Sequence, residues 1–110
     1  MPDERAARLA TNEARFREIN ERVERDLEPI VSQDESLPFV CECGRRTCTD
    51  AIALSVAEYE AVRKDATRFI VVAGHEIEDV EDVVERCDRY FVVQKHAATW
   101  PIVQKTDPRR

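Results

Sequence analysis

The chain has 110 residues, enough for one domain and too few for two of ordinary size. Hydrophobic residues make up 43% and charged residues 36%, which describes a folded globule and excludes a disordered chain. Seventeen bases against 23 acids give a net charge of −6, which argues against a general nucleic-acid binder and against a ligand of anionic membranes.

Residues 2–27 are predicted to form one long helix. Leu9, Phe16, Ile19, Val23 and Leu27, with Asn12 on the same stripe, recur in steps of three and four. Glu13 with Arg17, Glu18 with Arg22 and Glu21 with Arg25 are i,i+4 pairs in the favourable order, acid first. The narrow stripe suits a helix packed on its own domain or a short arm for a partner helix. The working division is an arm over residues 1–28 and a linker over 29–38. A domain over 39–96 and a tail over 97–110 complete it. Pro29, Ser32, Gln33, Asp34, Ser36 and Pro38 break all periodicity in the linker.

Leu37–Cys43 reads as a strand, with Ala51–Leu54 as its continuation or partner. Ser55 and Glu58 form a capping box for a helix through Val56, Tyr59 and Val62 to about Lys64. Arg68–Ala73 is a β-branched buried strand closed by Gly74. Val80, Val83, Val84 and Cys87 then suggest an acidic helix, and Arg89–Gln94 a last strand. The tail reads as loose, with a short strand at Trp100–Val103. The expected class is α+β: a long N-terminal helix, a small mixed sheet and two helices, stapled by a metal. Residues 76–88 hold seven acids and one base, Arg86, so that segment alone carries −6. It is a solvated face or a docking surface for a basic partner.

The N-terminus is polar, so no signal peptide is expected, and no apolar run is long enough to span a bilayer. That points to a reducing cytoplasm, where clustered cysteines hold metal more often than they form disulfides. In the stretch Cys41-Glu42-Cys43-Gly44-Arg45-Arg46-Thr47-Cys48, residues i and i+2 of an extended chain share a face. Cys41 and Cys43 thus present two thiolates together, a turn at Gly44 returns Cys48, and Arg45 and Arg46 offset the thiolate charge. Three sulfurs suit tetrahedral zinc, which wants a fourth ligand. His75 heads the candidates, on a loop at a strand end. Cys87 and His96 are the others. An iron–sulfur cluster would need Cys87 as well. Glu42 and Glu76 are the carboxylates near enough to serve as a base if the metal were catalytic. The H-x-E…P-C-x-x-C and H-E-x-x-H patterns are absent.

NEARFREINERVE (12–24), FVCECG…C (39–48), LSVAEYEAVRKDATRFIVVAGHE (54–76) and VVERCDRYFVVQK (83–95) together resemble a family of small, largely uncharacterised actinobacterial proteins. That resemblance spans about residues 12–95. It implies that Cys41, Cys43, Cys48 and His75 belong together and that the Cys87 position varies. It implies no activity.

The expected function is a non-enzymatic, zinc-stabilised module that binds another protein, in transcription or stress signalling. Its contact surfaces would be the N-terminal helix and segment 76–88, with a homodimer as one form. A thiol-based redox or metal sensor on the same cysteines is the first alternative, and a zinc hydrolase the second.

Overall fold

The computed structural model describes residues 3–109. Helix α1 spans Glu4–Leu27, and Asp3 caps it by accepting from the Ala6 N–H at 2.7 Å. The expected start at Pro2 lies outside the described residues, as does Arg110 of the tail. A 3-10 turn at Glu28–Ile30 leads into β1 (Ser36–Val40). β1 pairs antiparallel with β2 (Ala51–Ser55), Phe39 opposite Ile52. The Ser55–Glu58 capping box starts α2 (Val56–Arg63), as the sequence predicts. β3 (Arg68–Val71), β4 (Glu81–Arg86) and β5 (Phe91–Lys95) form a second antiparallel sheet in the order β3-β5-β4. A 3-10 turn at Ala97–Thr99 and helix α3 (Trp100–Lys105) complete the described chain.

The class is α+β, with two small antiparallel sheets in place of one mixed sheet. Two elements differ from expectation. Residues 81–86 form a strand, not an acidic helix. Val83 and Val84 fit a 3.6 period and a pleat equally well, and β-branched residues pack best on a pleat. Pairing with β5 decides it, and a bulge between Val83 and Glu85 absorbs the mismatch in spacing. β4 is a sheet edge, and its exposed Asp82, Glu85 and Arg86 discourage further strand pairing. Residues 100–105 form a helix, not a strand. Pro101 sits in its first turn, where a missing N–H costs nothing.

The tail is anchored. The buried Arg63 guanidinium meets Asp107 at 2.5 Å and Glu21 at 3.2 Å, tying the C-terminal segment to α1 and α2. Arg109 adds ion pairs to Glu21, Glu24 and Glu60. The Trp100 indole donates to the Lys95 carbonyl at 2.7 Å.

The core lies between the sheets and α2. Phe39 stacks on Tyr59 with ring centroids 4.5 Å apart, and Ile52, Leu54, Phe69, Ile70, Val71, Val92 and Val93 surround them. Helix α1 covers this core along β1 and α3, with an unexpected face inward. Its buried residues are Ala10, Glu13, Ala14, Arg17, Asn20 and Glu24. Phe16 and Val23 are half-buried, and Ile19 is exposed. The expected i,i+4 pairs give way to long-range partners. Arg17 donates to the carbonyls of Ala66 and Arg68 and lies over the Phe69 ring at 3.6 Å. Glu13 faces Lys95 at 2.7 Å, and Glu21 takes Arg63 and Arg109.

Candidate metal centre

β1 ends at Val40, and the chain then crosses from one sheet to the other. The Cys41 N–H donates to the Asp50 carbonyl beside β2, at 2.9 Å. The next N–H, on Glu42, donates to Ile70 of β3 at 2.8 Å. The Val72 N–H, just past β3, donates to the Cys41 sulfur at 3.2 Å. Residues 41–43 therefore form the seam between the sheets.

The alternation expected of an extended chain holds across this seam. Cys41 and Cys43 turn one way, and Glu42 turns the other, into the interior. Cys48 returns through a turn in which its N–H donates to Arg45 at 3.1 Å. His75 comes from the second sheet, one residue after Gly74, whose φ of 94° ends the strand in a conformation that favours glycine. The ligand atoms of Cys41, Cys43, Cys48 and His75 all lie within 4.8 Å of one another.

His75 Nδ1 is 3.6 Å from the sulfurs of both Cys41 and Cys48. An ion with Zn–S near ~2.3 Å and Zn–N near ~2.05 Å at tetrahedral angles separates sulfur from nitrogen by about 3.6 Å. The donor set therefore suits a tetrahedral metal in its chemistry and in these two sulfur–nitrogen distances. The other imidazole nitrogen, Nε2, lies 3.4 Å from the Asp50 carboxylate. A carboxylate in that place fixes the ring's orientation and tautomer, leaving Nδ1 free to bind.

The electrostatics favour a thiolate at Cys43. Each sulfur receives a backbone N–H, from Val72 to Cys41, Arg45 to Cys43 and Asp50 to Cys48. The hydrogen bond from the Cys41 thiol holds Cys43 down to about 5. That same bond, with burial, pushes Cys41 up, and burial raises Cys48. Cys43 is thus the sulfur most readily ionised, and binding displaces the remaining thiol protons.

Glu42 holds the seam in place. Its side chain is fully buried. One oxygen accepts from the Ile70 N–H at 3.1 Å. The other accepts from Asn20 at 2.9 Å and Tyr59 at 3.0 Å. Asn20 also bonds both backbone groups of Val40, so α1, α2, β1 and β3 meet at this carboxylate. With both oxygens engaged and turned from the sulfurs, Glu42 is not placed to act as a base. Glu76 accepts from the Gly74 N–H at 2.8 Å on the surface.

Cys87 and His96 lie outside the cluster. Cys87 sits in the β4–β5 turn, its N–H bonded to Tyr90, and His96 faces Asp82 at 3.3 Å. Sequence reasoning did not find Asp50, Asn20 or Tyr59. Asp50 carries one weak signal, a carboxylate two residues after a ligand cysteine.

Gly44 has a different role from the one expected. Its backbone is not left-handed. Its hydrogen faces α1, where an added Cβ would lie 2.6 Å from Leu9 Cδ2 and 3.2 Å from Leu9 Cα. Asn12 then clasps the Gly44 carbonyl at 3.0 Å. Gly44→Ala is expected to cost about 1–3 kcal/mol through this overpacking. Adding Leu9→Ala should return part of that loss in a denaturant melt. Additive costs would show that the two residues do not clash.

No family model, curated protein or solved structure matches the chain.

Proposed function

We propose that the protein is a zinc-stapled α+β module that works by binding another protein and catalyses no reaction. The observation that carries this reading is the convergence of three sulfurs and one imidazole within 4.8 Å. Four protein donors complete a tetrahedral shell, the arrangement of structural zinc, whereas catalytic zinc keeps a position for water. The two most buried ligands, Cys41 and Cys43, lie in the seam between the sheets. Zinc there serves as the staple a small domain needs. The engaged oxygens of Glu42 also speak against the hydrolase reading.

Partner contact is assigned to the outer face of α1 and to segment 76–88, whose acids crowd the loop before β4 and its edge. A regulatory role in the cytoplasm agrees with the acidic charge and the reduced cysteines. No helix among the described residues is long and apolar enough to cross a membrane. A redox-sensing variant of this reading has one observation in its favour: Cys48 is less buried than its two partners, so an oxidant reaches it first.

Elemental analysis tests the metal. Purified wild type is expected to hold zinc at one ion per chain. Cys43→Ser should lose it and Cys87→Ser should keep it. Metal-free wild type, or loss from the Cys87 variant, defeats the assignment. Asp50→Ala removes the carboxylate behind His75. It should weaken zinc binding by about 10- to 100-fold, measured by competition with a chromophoric chelator. An unchanged affinity would mean that the seam alone orients His75.

A further inference from the structure

Beside the metal centre lies an open groove of about 540 Å³ on the outer face of α1. Arg8, Thr11, Asn12 and Arg15 of α1 line one wall, and Arg46 of the cysteine loop faces them. Positions 8, 11, 12 and 15 are one helix face, spaced by three, four and seven residues. Arg8 and Arg15 therefore stand two turns apart, about 10 Å along the axis. Asn12 donates to Gly44, and Leu9 packs on Gly44, so the loop carrying Arg46 is pinned to the helix carrying the other two. The three arginines therefore stand on one surface.

Their charge is almost uncompensated. Arg15 and Arg46 have no carboxylate partner among the described residues, and Arg8 reaches Glu4 only at 3.9 Å on the open surface. This is notable in a chain with six more acids than bases. The cleft continues into a smaller one of about 210 Å³, shared by Asn12, Arg15 and Arg46 and walled by Phe16 and Ile19. Ile19 is 44% exposed, a large aliphatic group left in water next to Arg15 and Arg46.

We propose that this cleft binds a small phosphate-bearing ligand with a flat apolar body, of the kind a nucleotide has. Guanidinium forks take phosphate oxygens in pairs. The phosphates occupy the wall of Arg8, Arg15 and Arg46. The apolar body lies toward Phe16 and Ile19. The site is independent of the zinc reading, apart from the loop that carries Arg46.

Titration calorimetry of the full chain with ADP tests this, with the zinc content of every sample measured. Saturable binding is expected. Arg15→Ala and Arg46→Ala should each weaken it by about tenfold, and Arg22→Ala, an exposed arginine outside the cleft, should leave it unchanged. Adenosine and inorganic phosphate should each bind more weakly than ADP. Affinity that ignores both cleft arginines, or no heat at about 10 mM ADP, overturns the proposal. Binding of a polyglutamate peptide that depends on the same arginines, with ADP inert, also overturns it and assigns the cleft to a protein partner. A variant that loses ADP binding with its zinc intact separates this site from the metal centre.

Discussion

Stripping the metal with a strong chelator is expected to lower the melting temperature by more than about 20 °C. Domains of this size are stable by about 5–15 kcal/mol in total, and each kcal/mol shifts the midpoint by roughly 4 °C or more. Zinc bound to small structural sites contributes about 10–16 kcal/mol of binding free energy, comparable with or larger than that whole stability. In this chain the ion would join Cys41, Cys43 and Cys48 after β1 to His75 after β3, so it spans both sheets. Its loss leaves a seam held by hydrogen bonds, those between Glu42 and Ile70 among them. Differential scanning calorimetry with and without chelator reads the effect directly. An unshifted melt would remove the staple from the account.

Lys95→Met is expected to cost about 3–5 kcal/mol, a fall of roughly 15–25 °C in the midpoint. The Lys95 ammonium is fully buried, 2.7 Å from Glu13 and 3.1 Å from Glu81. It joins α1 to the strand pair β4–β5. Removing it leaves two carboxyls facing each other out of water. Burial already pushes Glu13 well above the ordinary carboxylate range, and the Glu81 charge adds to this while Lys95 opposes it. The folded protein therefore binds the Glu13 proton more tightly than the unfolded chain does. Stability from this group is present at low pH and declines as pH climbs from the ordinary glutamate range toward the raised value. The Lys95→Met defect should deepen along the same course. Converting Glu13 to Gln in the Lys95→Met background should recover part of the loss. A midpoint within about 2 °C of wild type would show that the triad contributes nothing net.

What the sequence made legible was local. The Ser55–Glu58 box, the β-branched run of β3 and the pairing of 37–40 with 51–54 all announce themselves within a few residues. The cysteine spacing is local too, and His75 follows from the loop after β3. The misreadings involve partners outside the segment being read. The hydrophobic stripe of α1 is only half-buried because its centre line inward is Glu13, Arg17 and Asn20, satisfied by Lys95, the carbonyls of residues 66 and 68, and Glu42. No periodicity registers such pairings. β4 was ambiguous because its valines fit two periods, and only the neighbouring strand chooses between them. α3 is too short for its pattern to show, and the segment after it is anchored by Asp107 to Arg63 of α2.

The polar underside of α1 has a consequence for how the helix seats. Oil slides on oil, but a row of acid, guanidinium and amide groups fits only the complementary row. Moving the helix one turn would set Asn20 and Arg17 against the wrong carbonyls and strand Lys95. Register is thereby locked by mismatch elsewhere, much as teeth lock a key. A helix lifted from this bed would find its way back in a single alignment.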